Sequence, residues 1–124
     1  FKKKIKGKRS FNDFPNPHLN TSSFMINPGD FLKYLKNKSF SNKYETWKIE
    51  SGFNSLTNFF KRRNFKLLVV NSDGKKFEEN EWMLSETYYY KNQSKTIISD
   101  KHSRKYLRLK IIERKKSQFN VWGV

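Results

Sequence analysis

The side chains with the most chemistry to offer are cations set among aromatics. Four such clusters occur: FKKKIKGKR at residues 1–9, FFKRRNFK at 59–66, SRKYLRLK at 103–110 and ERKKSQF at 113–119. Lys and Arg neutralise phosphate oxygens, while Phe and Tyr either stack on splayed bases or pack inward. A chain this polar needs its aromatics inside, so packing is the favoured reading for any single ring. The cations carry more information. A small domain stays soluble with a net charge of about 2–8, whereas 27 Lys and Arg against 11 Asp and Glu give +16 on 124 residues. Such an excess repels itself in a compact chain, and binding a polyanion relieves it. RNA is therefore the expected partner. The expected contacts are Lys2, Lys3, Lys4, Lys6, Lys8, Arg9, Lys61, Arg62, Arg63, Arg104, Lys105, Arg108 and Lys110. An anionic membrane surface is the weaker candidate.

Other chemistries find less support. Metal sites need clustered His, Cys or carboxylates, and the chain has no Cys and only His18 and His102, far apart in sequence. The same two histidines would be the base and acid of a basic ribonuclease. Each sits among polar turn residues with nothing to orient it, so a surface role is preferred. Glu78, Glu79, Glu81 and Glu86 can be read as a paired acid site, but solvation or neutralisation by nearby Lys is the usual fate of a charge run. No Gly-rich phosphate loop or nucleophile motif occurs. The expectation is a protein without cofactor, metal or catalytic residues, and not an enzyme.

The elements that would position these cations have little apolar material to work with. Hydrophobic residues make up 35%, concentrated in 12 Phe, 6 Tyr and 3 Trp, against a usual apolar share of about 45–50%. A small core follows, and a fold that leans on a partner. The longest apolar run, around FKLLVVN, falls far short of the ~20 residues a membrane-spanning helix needs. The absence of Ala, with abundant Lys, Asn, Phe, Tyr and Ile, suggests strongly AT-biased coding, as in an organellar genome or an AT-rich nuclear one. The first residue is Phe1, and no apolar run follows the opening charges as a secretory signal would require. A processed chain or one piece of something longer is expected.

Short apolar runs ended by Gly, Pro, Asn or Asp predict β structure. Residues 1–8 read as a Lys-studded strand, and Pro15 and Pro17 as a loop. In SFMINPGDFL, residues 23–32, Pro28, Gly29 and Asp30 predict a type II turn between strands at 24–27 and 30–35, with Phe24, Ile26 and Leu32 anchored in the core. Trp47 opens a short extended segment, and residues 51–63 read as a turn or brief helix. Asp73-Gly74 predicts a hairpin with a type I′ turn. EWMLSETYYYK and SKTIIS continue as strands. Near the end, Leu107, Leu109 and Ile111 alternate with Arg108 and Lys110, giving a strand with one packed and one phosphate-facing side.

The turn sequence also carries a resemblance. SFMINPGDFL resembles the Ser-Tyr/Phe-x-Val/Ile-x-Pro-Gly-Asp-x-Ile/Leu pattern that closes the RNA-binding fold of the ribosomal protein S4 family. Further matches follow in the same order: ETWKIESGFNSLTNFFKR, with its Thr-Trp and Phe-Lys-Arg, and NEWMLSETYY, similar to the family's Asn-Glu-x-Leu-Ile-Val-Glu-x-Tyr-Ser. Upstream, Ile5-Lys6-Gly7-Lys8 sits where the family has Val-Asn-Gly-Lys. The order holds from residue 5 to about 90. Departures are an insertion at 9–20, Tyr88-Tyr89 in place of the closing Tyr-Ser, no counterpart for residues 92–124, and no N-terminal helical half.

The resemblance implies a structural constituent of the small subunit of an organellar, mitochondrial ribosome. Such a protein would bind small-subunit rRNA as an assembly scaffold near the messenger entry side. Lys6 and Lys8 would belong to the RNA-facing end of the fold, and Lys61 with Arg62 to the Phe-Lys-Arg segment. Its partners would be a complementary N-terminal S4-type chain and neighbouring small-subunit proteins, in the mitochondrial matrix. The expected fold is mainly β with minor α: a small twisted mixed sheet with hairpins, then an extended basic C-terminal extension. Residues 1–45 would complete the RNA-binding domain, 46–91 form a β region and 92–124 the extension. The alternatives are an organelle-specific structural subunit of a ribosome or membrane complex unrelated to that family, and the ribonuclease.

Overall fold

The computed structural model describes residues 10–124. The expectation of a mainly β protein is overturned: among the described residues 43% helix stands against 5% strand, with one two-stranded sheet. The described residues form two compact units. The first comprises residues 10–13 and His18–Asn64, and the second Phe14–Pro17 and Phe65–Val124.

The first unit holds three helices, α1 Pro28–Leu35, α2 Lys43–Ser51 and α3 Leu56–Lys61. Each starts where a polar side chain satisfies backbone N–H groups that a helix N-terminus leaves without partners. At α1 the type II turn gives way to a helix start. Asn27 Oδ1 accepts from the N–H groups of Gly29 (2.9 Å) and Asp30 (3.3 Å). Gly29 lacks the positive φ that a type II turn demands, and Pro28, which has no N–H to lose, occupies the first turn of the helix. Asp30 then lies near the positive end of the helix dipole and pairs with Lys33 at 3.3 Å. The strand expected at 30–35 is this helix, and its inward residue is Tyr34 at 1% exposure, while Leu32 and Phe24 are exposed.

α2 replaces the extended segment at Trp47; Asn42 Oδ1 caps it by accepting from Glu45 N–H. α3 bears out the brief helix read at 51–63, with Ser55 as its cap. Its Leu56, Thr57 and Phe60 are buried with Tyr34. Tyr34 and Phe60 each meet Phe59 edge to face, with centroids 5.1 Å apart, an arrangement aromatic quadrupoles favour. The incoming chain is pinned by a Phe11–Gly52 bridge and by Leu19 N–H donating to Thr57 Oγ1 at 2.9 Å.

The second unit contains the expected hairpin, β1 Val69–Val70 against β2 Lys76–Phe77, with Val69 opposite Phe77. Its turn differs from the type I′ expectation. Gly74 alone takes positive φ, Gly74 N–H returns to Asn71 O, and Asn71 N–H donates to Lys75 O. That is a type I turn closed by a left-handed Gly. Asn71, buried, reinforces it by accepting from the N–H groups of Asp73 and Lys75 at 3.1 Å.

Where EWMLSETYYYK suggested a strand, Glu79–Ser85 coils into a 3-10 helix that buries Trp82 (1% exposed) and lets its indole N–H donate to Leu67 O. SKTIIS lies in irregular backbone. The strand expected across 107–111 is the junction of two helices, α4 Lys101–Arg108 and α5 Ile111–Trp122. The residues expected to trail as an extension are therefore folded. Asp100 and Ser103 start α4 with a reciprocal capping box, Ser103 N–H to Asp100 Oδ1 (2.7 Å) and Asp100 N–H to Ser103 Oγ (2.8 Å).

Candidate nucleic-acid interface

The inward side of α4 is set by Ser103 and Tyr106, both buried. Three tyrosines pile against that side: Tyr88 on Tyr89 at 4.1 Å and 8°, and Tyr89 on Tyr106 at 4.9 Å and 12°. Gln93, buried, ties the irregular segment to α4. Its Oε1 accepts from Tyr89 N–H (2.9 Å) and its Nε2 donates to Ser103 O (3.0 Å). Burial of the Tyr106 hydroxyl pushes its pKa up, against the opposing pull of Arg114.

Fixing Ser103 and Tyr106 inward dictates what faces out. Lys101, Arg104, Lys105 and Arg108 stand at i, i+3, i+4 and i+7, one helix face, and all four are exposed. None forms an ion pair among the described residues. Among the described residues, only Arg104 of the four has a side-chain tie, Nη1 to Ser99 O at 3.1 Å. On a helix such neighbours lie about 5–6 Å apart at Cβ, so the face is a row of point charges without a counter-charge.

Arg114 has a different task. It donates to Leu109 O (3.1 Å), to Leu107 O and to Asn92 Oδ1 (3.4 Å), and its guanidinium lies 5.7 Å from the Tyr106 ring centre. It bolts α5 to the end of α4. The outer side of α5 carries Ile111 (74% exposed), Ile112 (82%) and Phe119 (56%) beside the exposed Lys115 and Lys116.

The sequence-derived contacts distribute unevenly. Lys2, Lys3, Lys4, Lys6, Lys8 and Arg9 lie outside the described residues. Lys61, Arg62 and Arg63 are exposed at the end of α3. Arg62 donates to Asn54 Oδ1 (3.0 Å) and Phe53 O (2.9 Å), and Arg63 lies 3.5 Å over the Phe59 ring, so both also serve their own unit. Arg104, Lys105 and Arg108 come together on α4, whereas Lys110 falls in the break between α4 and α5, its N–H donating to Glu113 Oε2. Lys101, outside the sequence-derived set, joins them, and its i, i+3, i+4, i+7 spacing to Arg104, Lys105 and Arg108 is the helical-period signal for it.

Among the carboxylates, Glu78 pairs with Lys66 at 3.1 Å. Glu86 takes a hydrogen bond from Lys91, which holds the carboxyl below its usual pKa. No group of three potential metal ligands converges among the described residues. His18 lies in the loop before α1 and His102 on the exposed surface of α4. No helix of the described residues is long and apolar enough to cross a membrane. Comparison with protein-family models, curated proteins and solved structures finds no match.

Proposed function

We propose that the protein is a structural, RNA-binding constituent of the small subunit of a mitochondrial ribosome. The observation that carries the RNA-binding part is the α4 face, four exposed cations without carboxylate partners on a helix held by buried Tyr106 and Ser103. Over residues 101–116 eight cations meet one carboxylate, Glu113, a density suited to phosphate contact. What supports the ribosomal part is the order of the motifs resembling the ribosomal protein S4 family, without the β fold that resemblance implied. Small-subunit rRNA would be the ligand. A complementary N-terminal chain and neighbouring subunit proteins would be its protein partners, the exposed Ile111, Ile112 and Phe119 suiting a protein contact better than a phosphate one. No bond is made or broken in this role; the cations neutralise phosphates and the helices fix their spacing.

The test is binding to a small-subunit rRNA transcript over a salt series. Replacing Arg104, Lys105 and Arg108 together by Gln removes three phosphate contacts, and the slope of log affinity against log salt should fall by about 2–3. Lys66→Gln, which removes a cation paired with Glu78, is the control with little effect. An unchanged slope in the triple variant, or salt-independent binding by the native protein, overturns the reading.

A further inference from the structure

Helix α2 carries two cation–aromatic pairs at i, i+4, and they are used in opposite ways. Tyr44 faces inward: its ring meets Phe11 edge to face at 5.8 Å and its hydroxyl donates to Ser10 Oγ at 3.1 Å. Lys48 Nζ lies 5.2 Å from the Tyr44 ring centre and pairs with Glu45 at 2.8 Å. Every polar and aromatic group of that pair is occupied by the fold. The second pair is turned out. Trp47 is 46% exposed, with Lys43 Nζ 5.1 Å from its ring centre, and Lys43, Thr46 and Trp47 form the exposed side of the helix.

Burial does not explain this tryptophan, because Trp82, at 1% exposure, shows what the chain does with a Trp it needs for its core. The geometry points to Trp47 as a stacking platform for an unpaired RNA base, with Lys43 placed for the adjoining phosphate. This inference rests on the RNA-binding reading above and names the kind of RNA the first unit takes. A duplex offers no open base face, so the ring selects single-stranded segments, where bases are splayed and stack on aromatics. The α4 face, cationic and without an exposed aromatic among its four residues, reads phosphates alone and makes no such distinction. Lys43 also sets the chemistry of the occupant. A cation over the indole favours an anionic, π-faced ligand, which a nucleotide is.

The test compares the full chain with Trp47→Leu and Trp47→Phe. The probes are an oligouridylate of about ten nucleotides and an RNA duplex of similar length, at about 50 mM salt. Trp47→Leu should weaken single-strand binding about 5- to 100-fold and leave duplex binding unchanged, and Trp47→Phe should restore most of the loss. Tryptophan fluorescence of the native protein should be quenched by the single strand, and that quenching should disappear in both variants. Full single-strand affinity in Trp47→Leu overturns the inference while leaving the RNA-binding reading intact, and is the outcome expected if a protein partner covers this ring. Equal loss for both probes also overturns it. If the native chain binds neither RNA at low salt, the RNA-binding reading falls and this inference with it.

Discussion

The side-chain amide of Gln93 donates to the carbonyl of Ser103 at 3.0 Å, joining an irregular segment to the helix that carries the cationic face. The other end of the same amide accepts from Tyr89 N–H. The segment needs this tie, because Glu86, Tyr89, Lys91 and Gln93 all hold positive φ, a conformation that costs a non-Gly residue about 1–2 kcal/mol. Gln93→Ala leaves the Tyr89 N–H without its partner and takes the second donor from Ser103 O, and a polar group left unpaired costs about 1–3 kcal/mol. The expected outcome is a destabilisation of about 1–3 kcal/mol in urea unfolding. A loss below about 0.5 kcal/mol would show that Gln93 is incidental.

The capping box makes a second prediction about the same helix. Asp100→Ala and Ser103→Ala should each destabilise by about 0.5–2 kcal/mol. Because the two residues bond each other reciprocally, the double variant should cost less than the sum of the singles. Additivity in thermal or urea unfolding would mean the two bonds act independently.

Why α4 escaped a sequence reading is visible in its own residues. Leu107, Leu109 and Ile111 alternate with cations, which fits a strand's period of two, yet the alternation spans a helix end, a two-residue break and a helix start. The buried residues of α4 are Ser103 and Tyr106, one small and polar, so no run of apolar residues marked its inner side. The start signal, Asp100 followed three residues later by Ser103, is a helix cap written with Ser in place of the more familiar Glu. At α1, Asn27-Pro28-Gly29-Asp30 suits a turn and a capped helix start equally well; the spacing of Phe31, Tyr34 and Leu35 decided for helix. Where the local signal and the tertiary demand agree, as at Asp73-Gly74 and at Ser55 to Lys61, the hairpin and the helix are where the sequence puts them. The resemblance of motif order brought with it a β architecture that the local caps contradict.

Two glycines separate the costs of space and of backbone. A Cβ on Gly52 would sit 2.6 Å from Lys48 O and 3.0 Å from Ser10 O; both are backbone atoms that move only with their chain. Gly52→Ala should destabilise by about 1–3 kcal/mol and open the Phe11–Gly52 bridge, seen as faster amide exchange at Phe53, whose N–H donates to Ser10 O. A Cβ on Gly74 meets nothing, but φ there is +75°. Gly74→Ala should cost about 1 kcal/mol, and Gly74→Asn less, since Asn tolerates the left-handed region. Equal costs for the two Gly74 variants would contradict the conformational account.

Tyr34 supplies a pH prediction with a definite sign. Its hydroxyl lies 3.0 Å from Ile49 O and 3.2 Å from Asn54 O, acceptors that favour the protonated phenol. Burial pushes its pKa up from 10.0 to about 12. The folded state therefore binds this proton more tightly than the unfolded chain does. The resulting stabilisation is complete below about pH 10, the unfolded value, and is lost as pH rises towards about 12. Lys38, whose Nζ sits 4.7 Å from the Tyr34 ring centre, runs the other way. Burial and then the charge of Lys48 hold its pKa down, so its deprotonation favours the fold as pH rises towards the usual lysine range. Comparing the native chain with Tyr34→Phe isolates the tyrosine. Between about pH 10 and 12 the native protein should lose on the order of 2 kcal/mol more stability than the variant. Its last tyrosine should ionise only as the first unit unfolds, followed by ultraviolet absorbance and circular dichroism together. A Tyr34 that ionises near the usual phenol value of about 10 while the fold persists would contradict the burial on which the first unit's core is built.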